Sequence, residues 1–350
     1  MEISKLLLKW YEKQGRELPW RETSDPYKIW VSEIILQQTR IQQGVEYYHS
    51  FLKSFPDVFT LAGSDISEVL NIWQGLGYYS RARNMHEAAR VIVHQYNGTF
   101  PSNYKDLKKL KGIGEYTAGA IASIAFGEQV PAVDGNVKRV FSRLFGLQDD
   151  LDRPIPMQNL KNLLQKEIDK NEPGKFNQAV MDLGSLICKP KNPLCSECPL
   201  SENCTALKNE TVNELPVKYK KIKSRKRYFY YCIISCNEQV LISRRKKKDI
   251  WELLYEFPLF ESSKPLSDKS IYDNVNGMFL TGQKRTVISD ISSEIIHILS
   301  HQKLHTRFIH VEVEKLNTPV LSDFTPVKKE KINDFPLPRL IDRYLKETKI

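Results

Sequence analysis

The stretch CKPKNPLCSECPLSENC, residues 188–204, holds four of the six cysteines in this chain of 350 residues. Four thiols this close together could form two disulfides, bind zinc, hold an iron–sulfur cluster or share no role. The first residues, MEISKLLLKWYEKQGRELPW, contain neither the apolar core nor the cleavage site of a secretion signal. We therefore expect a reducing cytoplasmic location, where structural disulfides are rare.

The spacing of these cysteines favours the cluster. Zinc sites usually take their ligands as two well-separated pairs. Here all four thiols come from one short loop that contains no histidine. Four thiolates around one compact site suit a cubane cluster. We therefore predict a [4Fe–4S] cofactor, and its ligands are Cys188, Cys195, Cys198 and Cys204. The two remaining cysteines, Cys232 and Cys236, are expected to be ordinary buried residues of a strand.

The bulk composition indicates a folded protein with a basic surface. A chain of 350 residues can bury two separate cores. Hydrophobic residues make up 41% of it, but no apolar stretch approaches the ~20 residues that span a bilayer. The net charge of +10 favours a polyanionic partner such as nucleic acid, although a solvated basic surface would give the same charge.

The two parts of the chain differ in periodicity. Residues 1–207 have helical periodicity and no strand-like alternation, and one apolar stripe runs from Trp30 to Leu52. Residues 208–227 are predicted to be an exposed basic linker, and RRKKK at 244–248 to be solvated charge. Residues 228–350 combine strand-like runs with a closing helix, PLPRLIDRYLKE, which predicts a smaller α+β domain. The fold class is thus mainly α, followed by α+β.

Two local motifs in the helical part have chemical meaning. Gly112 and Gly114, in LKGIGEYTAGA, predict a tight turn before a helix, where backbone N–H groups can bind a phosphate. A plain loop is the alternative. Asp134, in VPAVDGNVKRV, is predicted to cap the next helix. A carboxylate held ionised at a helix N-terminus could also stabilise an oxocarbenium ion as an N-glycosidic bond breaks.

The hairpin, Asp134 and the cysteine loop together resemble the helix–hairpin–helix DNA glycosylases of the endonuclease III and MutY group. The resemblance covers residues 1–205. Members with lyase activity carry a lysine in the helix after the hairpin, and this chain has Tyr116 there. That difference indicates a monofunctional glycosylase. IWVSEIILQQTR resembles the adenine-specific members, in which its glutamate, Glu33 here, is a general acid for the adenine ring nitrogen N7.

The resemblance implies roles for further residues. Asp134 would stabilise the oxocarbenium ion or form a glycosyl intermediate, with Tyr116 and Asn136 assisting it. Gln38 would fill the gap left by the extruded nucleotide, and Tyr78 would be a wedge beside the lesion. Trp20, Arg21 and Asp182 would belong to the adenine pocket. DNA contacts are implied at Lys111, Gly112, Gly114 and Lys138.

The second domain resembles the Nudix-like C-terminal domain of the same group, and it lacks the signature of Nudix phosphohydrolases. The resemblance implies recognition of 8-oxoguanine through Ser300 and His301, with Leu299 where an aromatic residue is usual. The expected substrate is double-stranded DNA that contains adenine opposite 8-oxoguanine or guanine. The resemblance further implies a monomer associated with a bacterial-type nucleoid and no membrane partner.

Overall fold

The computed structural model describes residues 2–217, 224–279, 286–315 and 323–348. The chain forms two compact units. One comprises Met1–Ser64 and Arg83–Lys220, and the other comprises Asp65–Ala82 and Lys221–Ile350. A segment from within the predicted N-terminal domain thus belongs to the second unit. Residues 218–223 of the predicted linker lie outside the described residues.

The first unit is helical, as predicted. None of the helices in the described ranges is long and apolar enough to cross a membrane. The helices of the N-terminal part of the chain are α1 (Glu2–Gln14), α2 (Pro26–Leu36), α3 (Ile41–Ser54), α4 (Val58–Gly63), α5 (Ile66–Ile72), α6 (Ser80–Tyr96), α7 (Tyr104–Leu107), α8 (Glu115–Phe126), α9 (Gly135–Phe145), α10 (Pro154–Glu167), α11 (Pro173–Leu186) and α12 (Thr205–Lys208), of which α5 and the start of α6 lie in the second unit.

The apolar stripe predicted from Trp30 to Leu52 is broken into α2 and α3. Gln38 lies at the break with a φ of 61°, in the left-handed region that ends a helix. Helix α2 is buried on nearly every side rather than along one stripe. Asp25 caps α2 by accepting from Tyr27 N at 2.9 Å, and Pro26 occupies its first turn.

Helices α1, α9 and α11 surround one hydrophobic core of the first unit. Its fully buried side chains include Leu7, Phe141 and Phe176. The cysteine loop packs against the same core through Cys188, Cys198 and Cys204. The loop is therefore fixed to α9, the helix that Asp134 caps.

The second unit contains a mixed sheet. Strand β1 pairs in parallel with β7, with Arg225 opposite Gln302 and Ser235 opposite Glu312, and the other strand pairs are antiparallel. The path through the sheet is β3-β2-β1-β7-β5. The elements are β1 (Arg225–Cys236), β2 (Gln239–Arg244), β3 (Tyr255–Glu256), β4 (Leu259–Ser262), α13 (Asp268–Phe279), β5 (Thr286–Ile291), β6 (Ile295–Ile298), β7 (Gln302–Val313), β8 (Thr325–Lys328) and α14 (Arg339–Thr348).

Two basic residues that were predicted to be solvated are buried in this unit. Arg227, from the predicted linker, lies in β1 and pairs with Asp249 at 2.9 Å and Glu261 at 2.7 Å. Arg245, from RRKKK, pairs with Glu256 at 2.9 Å. The prediction was wrong for both residues because carboxylates on other strands, Glu256 on β3 and Glu261 on β4, help to compensate their burial.

Candidate active site

The first unit has a cleft of about 210 Å³ at the point where several elements bring polar side chains together. It is bounded by α2, α11, the N-terminal ends of α8 and α9, and the short turn Pro19–Arg21. The predicted site residues that line it are Trp20, Arg21, Glu33, Tyr116, Asp134 and Asn136. The structure therefore brings together all four predicted catalytic side chains.

Glu33 is a buried carboxyl group on α2, with 8% of its surface exposed. Burial raises its pKa to about 7. A hydrogen bond from the Tyr116 hydroxyl opposes this rise, the nearby Asp134 charge adds to it, and the Arg21 guanidinium lowers it slightly. A carboxyl group with this pKa is partly protonated at neutral pH, as a general acid must be.

Asp134 caps α9, as predicted. Its Oδ1 accepts from Val137 N at 2.8 Å, and its Oδ2 accepts from Asn136 Nδ2 at 2.8 Å. Asn136 is itself held by Arg139 Nη2 at 2.9 Å, and Arg139 Nε donates to the carbonyl of Cys188 at 2.8 Å. Asp134 is therefore fixed in the cleft with both carboxylate oxygens hydrogen-bonded.

Tyr116 lies on α8 beside Glu33. Burial, reinforced by the neighbouring charges of Glu33 and Asp134, raises its pKa well above the ordinary value. The hydroxyl is thus neutral and also lies 3.5 Å from Met181 Sδ. This hydroxyl can donate one hydrogen bond to the Glu33 carboxyl group. Because it is not an amine, it cannot form a Schiff base.

Arg21 and Asp182 form a buried pair behind the cleft. Asp182 is fully buried and accepts from Arg21 Nη1 at 2.6 Å and Nη2 at 2.7 Å. Burial acts to raise the pKa of Asp182, but hydrogen bonds from Arg21 and Arg16 hold it below its ordinary value. The lining of the cleft includes Arg21 but does not include Asp182 among the described residues. Asp182 thus orients the arginine. Trp20, which packs edge-on against Tyr48, does face the cleft.

Sequence reasoning missed Gln178, a further polar residue of this cleft. Its Oε1 accepts from the Tyr11 hydroxyl at 3.1 Å, so the side-chain amide is held in a fixed orientation. Gln178 belongs to no local motif. Only the helical spacing of three residues to Met181, on the same face of α11, could have indicated it.

The predicted DNA contacts of the first unit lie outside the cleft. Gln38 is exposed at the turn between α2 and α3. Lys111 pairs with Glu87 at 2.5 Å, and Lys138 pairs with Asp152 at 2.7 Å. Gly114 begins α8 without a side-chain cap, which leaves the first N–H groups of that helix for another acceptor.

The second unit holds the remaining predicted residues. Ser300 and His301 form the exposed tip of the hairpin between β6 and β7, closed by a bond of 2.8 Å from Leu299 N to Gln302 O. The hydroxyl of Tyr78 contacts the hydroxyl of Ser300. The predicted wedge and the predicted lesion-reading loop are thus neighbours within one unit.

The four loop cysteines line one cavity of about 30 Å³. Four thiol groups from one loop that line the same cavity match the Cys₄ ligand set of a [4Fe–4S] cluster. Arg143 Nη1 donates to Cys188 Sγ at 3.4 Å and supplies compensating charge. Burial raises the pKa of the Cys198 thiol to about 11. Bound iron would supply the positive charge that keeps this sulfur a thiolate.

Comparison with known families agrees with this geometry. Residues 31–166 match the HhH-GPD superfamily of base excision DNA repair proteins, and residues 188–204 match the iron–sulfur binding domain of endonuclease III. Residues 229–347 match the NUDIX domain. These matches confirm the predicted fold class and the [4Fe–4S] cofactor of the cysteine loop.

Individual relatives of the chain are DNA glycosylases, and those with the higher sequence identity are named adenine DNA glycosylase. The chain is 38% identical over 261 residues to the adenine DNA glycosylase of Buchnera aphidicola subsp. Schizaphis graminum, covering 74% of this chain and 75% of that protein. It is 33% identical to the enzyme of the same name from Buchnera aphidicola subsp. Acyrthosiphon pisum, covering 99% and 97%. A solved thermostable thymine-DNA glycosylase is 29% identical with a TM-score of 0.55, covering 59% and 96%.

The relatives named adenine DNA glycosylase align with the helical part and with most of the second unit, and the cleft in the helical part holds the two carboxyl groups of Glu33 and Asp134. The chain therefore belongs to the adenine DNA glycosylases, base excision repair enzymes that act on DNA.

Proposed function

We propose that the enzyme removes adenine opposite 8-oxoguanine or guanine in duplex DNA by hydrolysis and leaves an abasic site. The observation that carries the proposal is the pair of carboxyl groups in one cleft, with a buried Glu33 of pKa about 7 and a hydrogen-bonded Asp134. Two carboxyl groups in different environments are the usual means of dividing acid and stabilising roles.

Glu33 acts as the general acid. The extruded adenine leaves poorly as an anion, so protonation of its N7 is needed before the bond to the sugar breaks. The proton comes from Glu33, which burial keeps partly protonated near neutral pH. The Tyr116 hydroxyl donates to the same carboxyl group and stabilises it after the proton has left.

Asp134 acts on the sugar. Positive charge develops at C1′ and the ring oxygen as adenine leaves, and a carboxylate at this point stabilises it or adds to C1′ as a glycosyl intermediate that water then hydrolyses. The bonds from Val137 N and Asn136 Nδ2 orient the carboxylate.

The proposed reaction stops at the abasic site. Strand cleavage by a lyase needs an amine that attacks C1′. None of the described residues that line the cleft is a lysine. The residue that α8 contributes to the cleft is Tyr116, which carries a hydroxyl group and no amine. A borohydride-trapped covalent complex with DNA would contradict this part of the proposal.

Recognition of the mispair is assigned to the second unit together with Gln38. Tyr78 is 48% exposed and stands beside Ser300, which supports a wedge placed next to a donor for the damaged base. Gln38 is supported as the gap-filling residue by its exposure at a turn. We further propose that the enzyme acts as a monomer on nucleoid DNA in the cytoplasm, with domain boundaries at 207 and 228.

The test is single-turnover release of adenine from a duplex with adenine opposite 8-oxoguanine, with adenine opposite thymine as the control substrate. Asp134→Asn keeps an acceptor for Val137 N, because asparagine also caps helices, but removes the charge. It should abolish release without a change in melting temperature. The matched control is Asp57→Asn, at the cap of α4, where Thr60 N donates at 2.7 Å. Full release of adenine by Asp134→Asn would refute the proposed role of the Asp134 carboxylate at the sugar.

A further inference from the structure

The segment that carries Tyr78 has an unusual backbone. In the sequence QGLGY, residues 74–78, the φ angles of Gly75, Gly77 and Tyr78 are 97°, 72° and 47°. Glycine adopts positive φ freely, but an aromatic residue does so at a cost in conformational energy. Surrounding contacts must therefore hold Tyr78 in this conformation.

Arg81 supplies those contacts from the first turn of α6. Its Nη2 donates to the carbonyl of Gly77 at 3.1 Å and to that of Leu76 at 3.3 Å. Its guanidinium lies 5.2 Å from the centre of the Trp73 ring and 5.7 Å from that of Tyr78. One planar cation thus bonds the backbone of the strained turn and contacts the exposed ring.

The other side of the turn is anchored to buried residues. Trp73 is fully buried, and its Nε1 donates to the same Gly77 carbonyl at 3.2 Å. The Tyr79 hydroxyl accepts from Gly75 N at 3.4 Å and donates to the carbonyl of Leu337 at 3.3 Å. The turn is therefore fixed at both ends, while the side chain of Tyr78 stays half-exposed.

We infer that Arg81 is a positioning residue for base extrusion, because it holds the Tyr78 ring in its inserting orientation before DNA binds. The inference rests on the proposed role of Tyr78 as a wedge. A ring that is already ordered enters the base stack without first losing conformational entropy. Loss of this order should therefore weaken binding to the lesion more than binding to undamaged DNA.

Lysine cannot replace arginine in this role. Both carbonyls accept from the single nitrogen Nη2, which an ammonium group could imitate. An ammonium group, however, has no planar face that can lie against the Trp73 and Tyr78 rings while it makes those bonds. Arg81→Lys should therefore weaken affinity for a duplex with a non-cleavable adenine analogue opposite 8-oxoguanine by roughly tenfold. Affinity for undamaged duplex should be unchanged. The matched control is Arg90→Lys, at an exposed arginine of the same helix.

A double-mutant cycle between Arg81→Lys and Tyr78→Ala tests whether Arg81 acts through the Tyr78 ring or independently of it. If Arg81 acts through the wedge, the double variant binds the lesion no more weakly than Tyr78→Ala alone. Additive losses would overturn the inference, as would wild-type lesion affinity in Arg81→Lys. If Tyr78→Ala binds like the wild type, the proposed wedge itself fails.

A spectroscopic measurement keeps the test independent of activity. A 2-aminopurine placed beside the lesion brightens when it is unstacked, so both Arg81→Lys and Tyr78→Ala should lose the brightening that the wild type produces. If Arg81→Lys does not fold, Arg81→Gln takes its place, since its amide NH₂ group keeps a donor for the turn carbonyls but lacks the charge and the guanidinium plane that contact the two rings. Normal brightening with either variant would refute the positioning role.

Discussion

Opposing effects set the protonation of Glu33. Burial favours the neutral acid, whereas the hydrogen bond from Tyr116 favours the carboxylate. Burial is the larger effect, and the resulting pKa of about 7 lies near the pH at which the proton is used. An acid with this pKa is still protonated in a useful fraction of molecules and gives up its proton readily.

Activity should therefore fall as pH rises through about 7, because Glu33 donates only while it is protonated. Glu33→Gln removes the proton and should slow adenine release by roughly 10² to 10⁴-fold, with no remaining decline above pH 7. Single-turnover rates between pH 5 and pH 9 measure both effects. Glu17→Gln, at an exposed glutamate, is the control. A decline that persists in Glu33→Gln would assign the titration to another group.

The same group should lower stability at high pH. The pKa of Glu33 rises from an ordinary 4.5 to about 7 in the folded protein, so the folded state binds the proton more tightly than the unfolded state. Stability from this group is complete below pH 4.5 and is lost as pH rises towards 7. The loss is about 3 kcal/mol, taking 1.36 kcal/mol per pKa unit.

Glu33→Gln has no such loss, so its free energy of unfolding relative to the wild type should increase between pH 5 and pH 8. Urea denaturation of both proteins at the two pH values measures the difference. A difference that does not change with pH would mean that Glu33 is solvated in the folded protein.

At the scale of elements, the hairpin before α8 depends on one of its two glycines for its shape. Gly112 has a φ of 80°, and a Cβ there would lie 2.7 Å from Asn84 Cβ. Gly114 has an ordinary φ of −81°, and among the described residues no side chain or backbone of another element lies within 4 Å of the position that its Cβ would take. Alanine should therefore be strained at position 112 and accommodated at position 114.

Gly112→Ala should lower the melting temperature and weaken binding to undamaged duplex, since the turn would move. Gly114→Ala, its matched control, should nearly keep the wild-type melting temperature. Reduced DNA affinity in Gly114→Ala would then report a close approach of a phosphate to the start of α8. Equal thermal stability of the two variants would contradict this account of the hairpin.

The cysteine loop should stabilise the helical unit through its cofactor. Three of its cysteines pack against the core shared with α9 and α11. Cys198→Ser should therefore lower both the visible absorption of the cluster and the melting temperature. Cys236→Ser, at the half-buried end of β1, is the control and should change neither. Retained thermal stability after loss of the absorption would contradict the structural role.

At the scale of the molecule, sequence reasoning succeeded where the signal is local. The cap at Asp134, the glycine turn and the cysteine spacing each depend on neighbours within one stretch of chain. It failed for Arg227 and Arg245, whose compensating carboxylates include Glu261 and Glu256 on other strands. Gln178 was missed for the same reason, because only packing brings α11 to the cleft.

The whole chain also carries a net charge of +10, which attracts any duplex, whereas selectivity must come from particular side chains. Affinity for undamaged DNA should therefore fall steeply with salt, with a slope of roughly −0.9 per phosphate contacted. Lys111 is exposed, and its pair with Glu87 contributes little to stability, so it is free to exchange that partner for a phosphate.

Lys111→Gln should reduce the slope of log affinity against log salt by about one and weaken binding equally on damaged and undamaged duplexes. Ser300→Ala should leave the slope unchanged and reduce only the preference for 8-oxoguanine over guanine opposite adenine, because it removes a donor and no charge. Fluorescence anisotropy titrations between 50 and 200 mM salt, a range of about fourfold, measure both quantities. If Lys111→Gln altered the preference and left the slope intact, Lys111 would contribute to selectivity and not to phosphate binding, which would contradict its assignment.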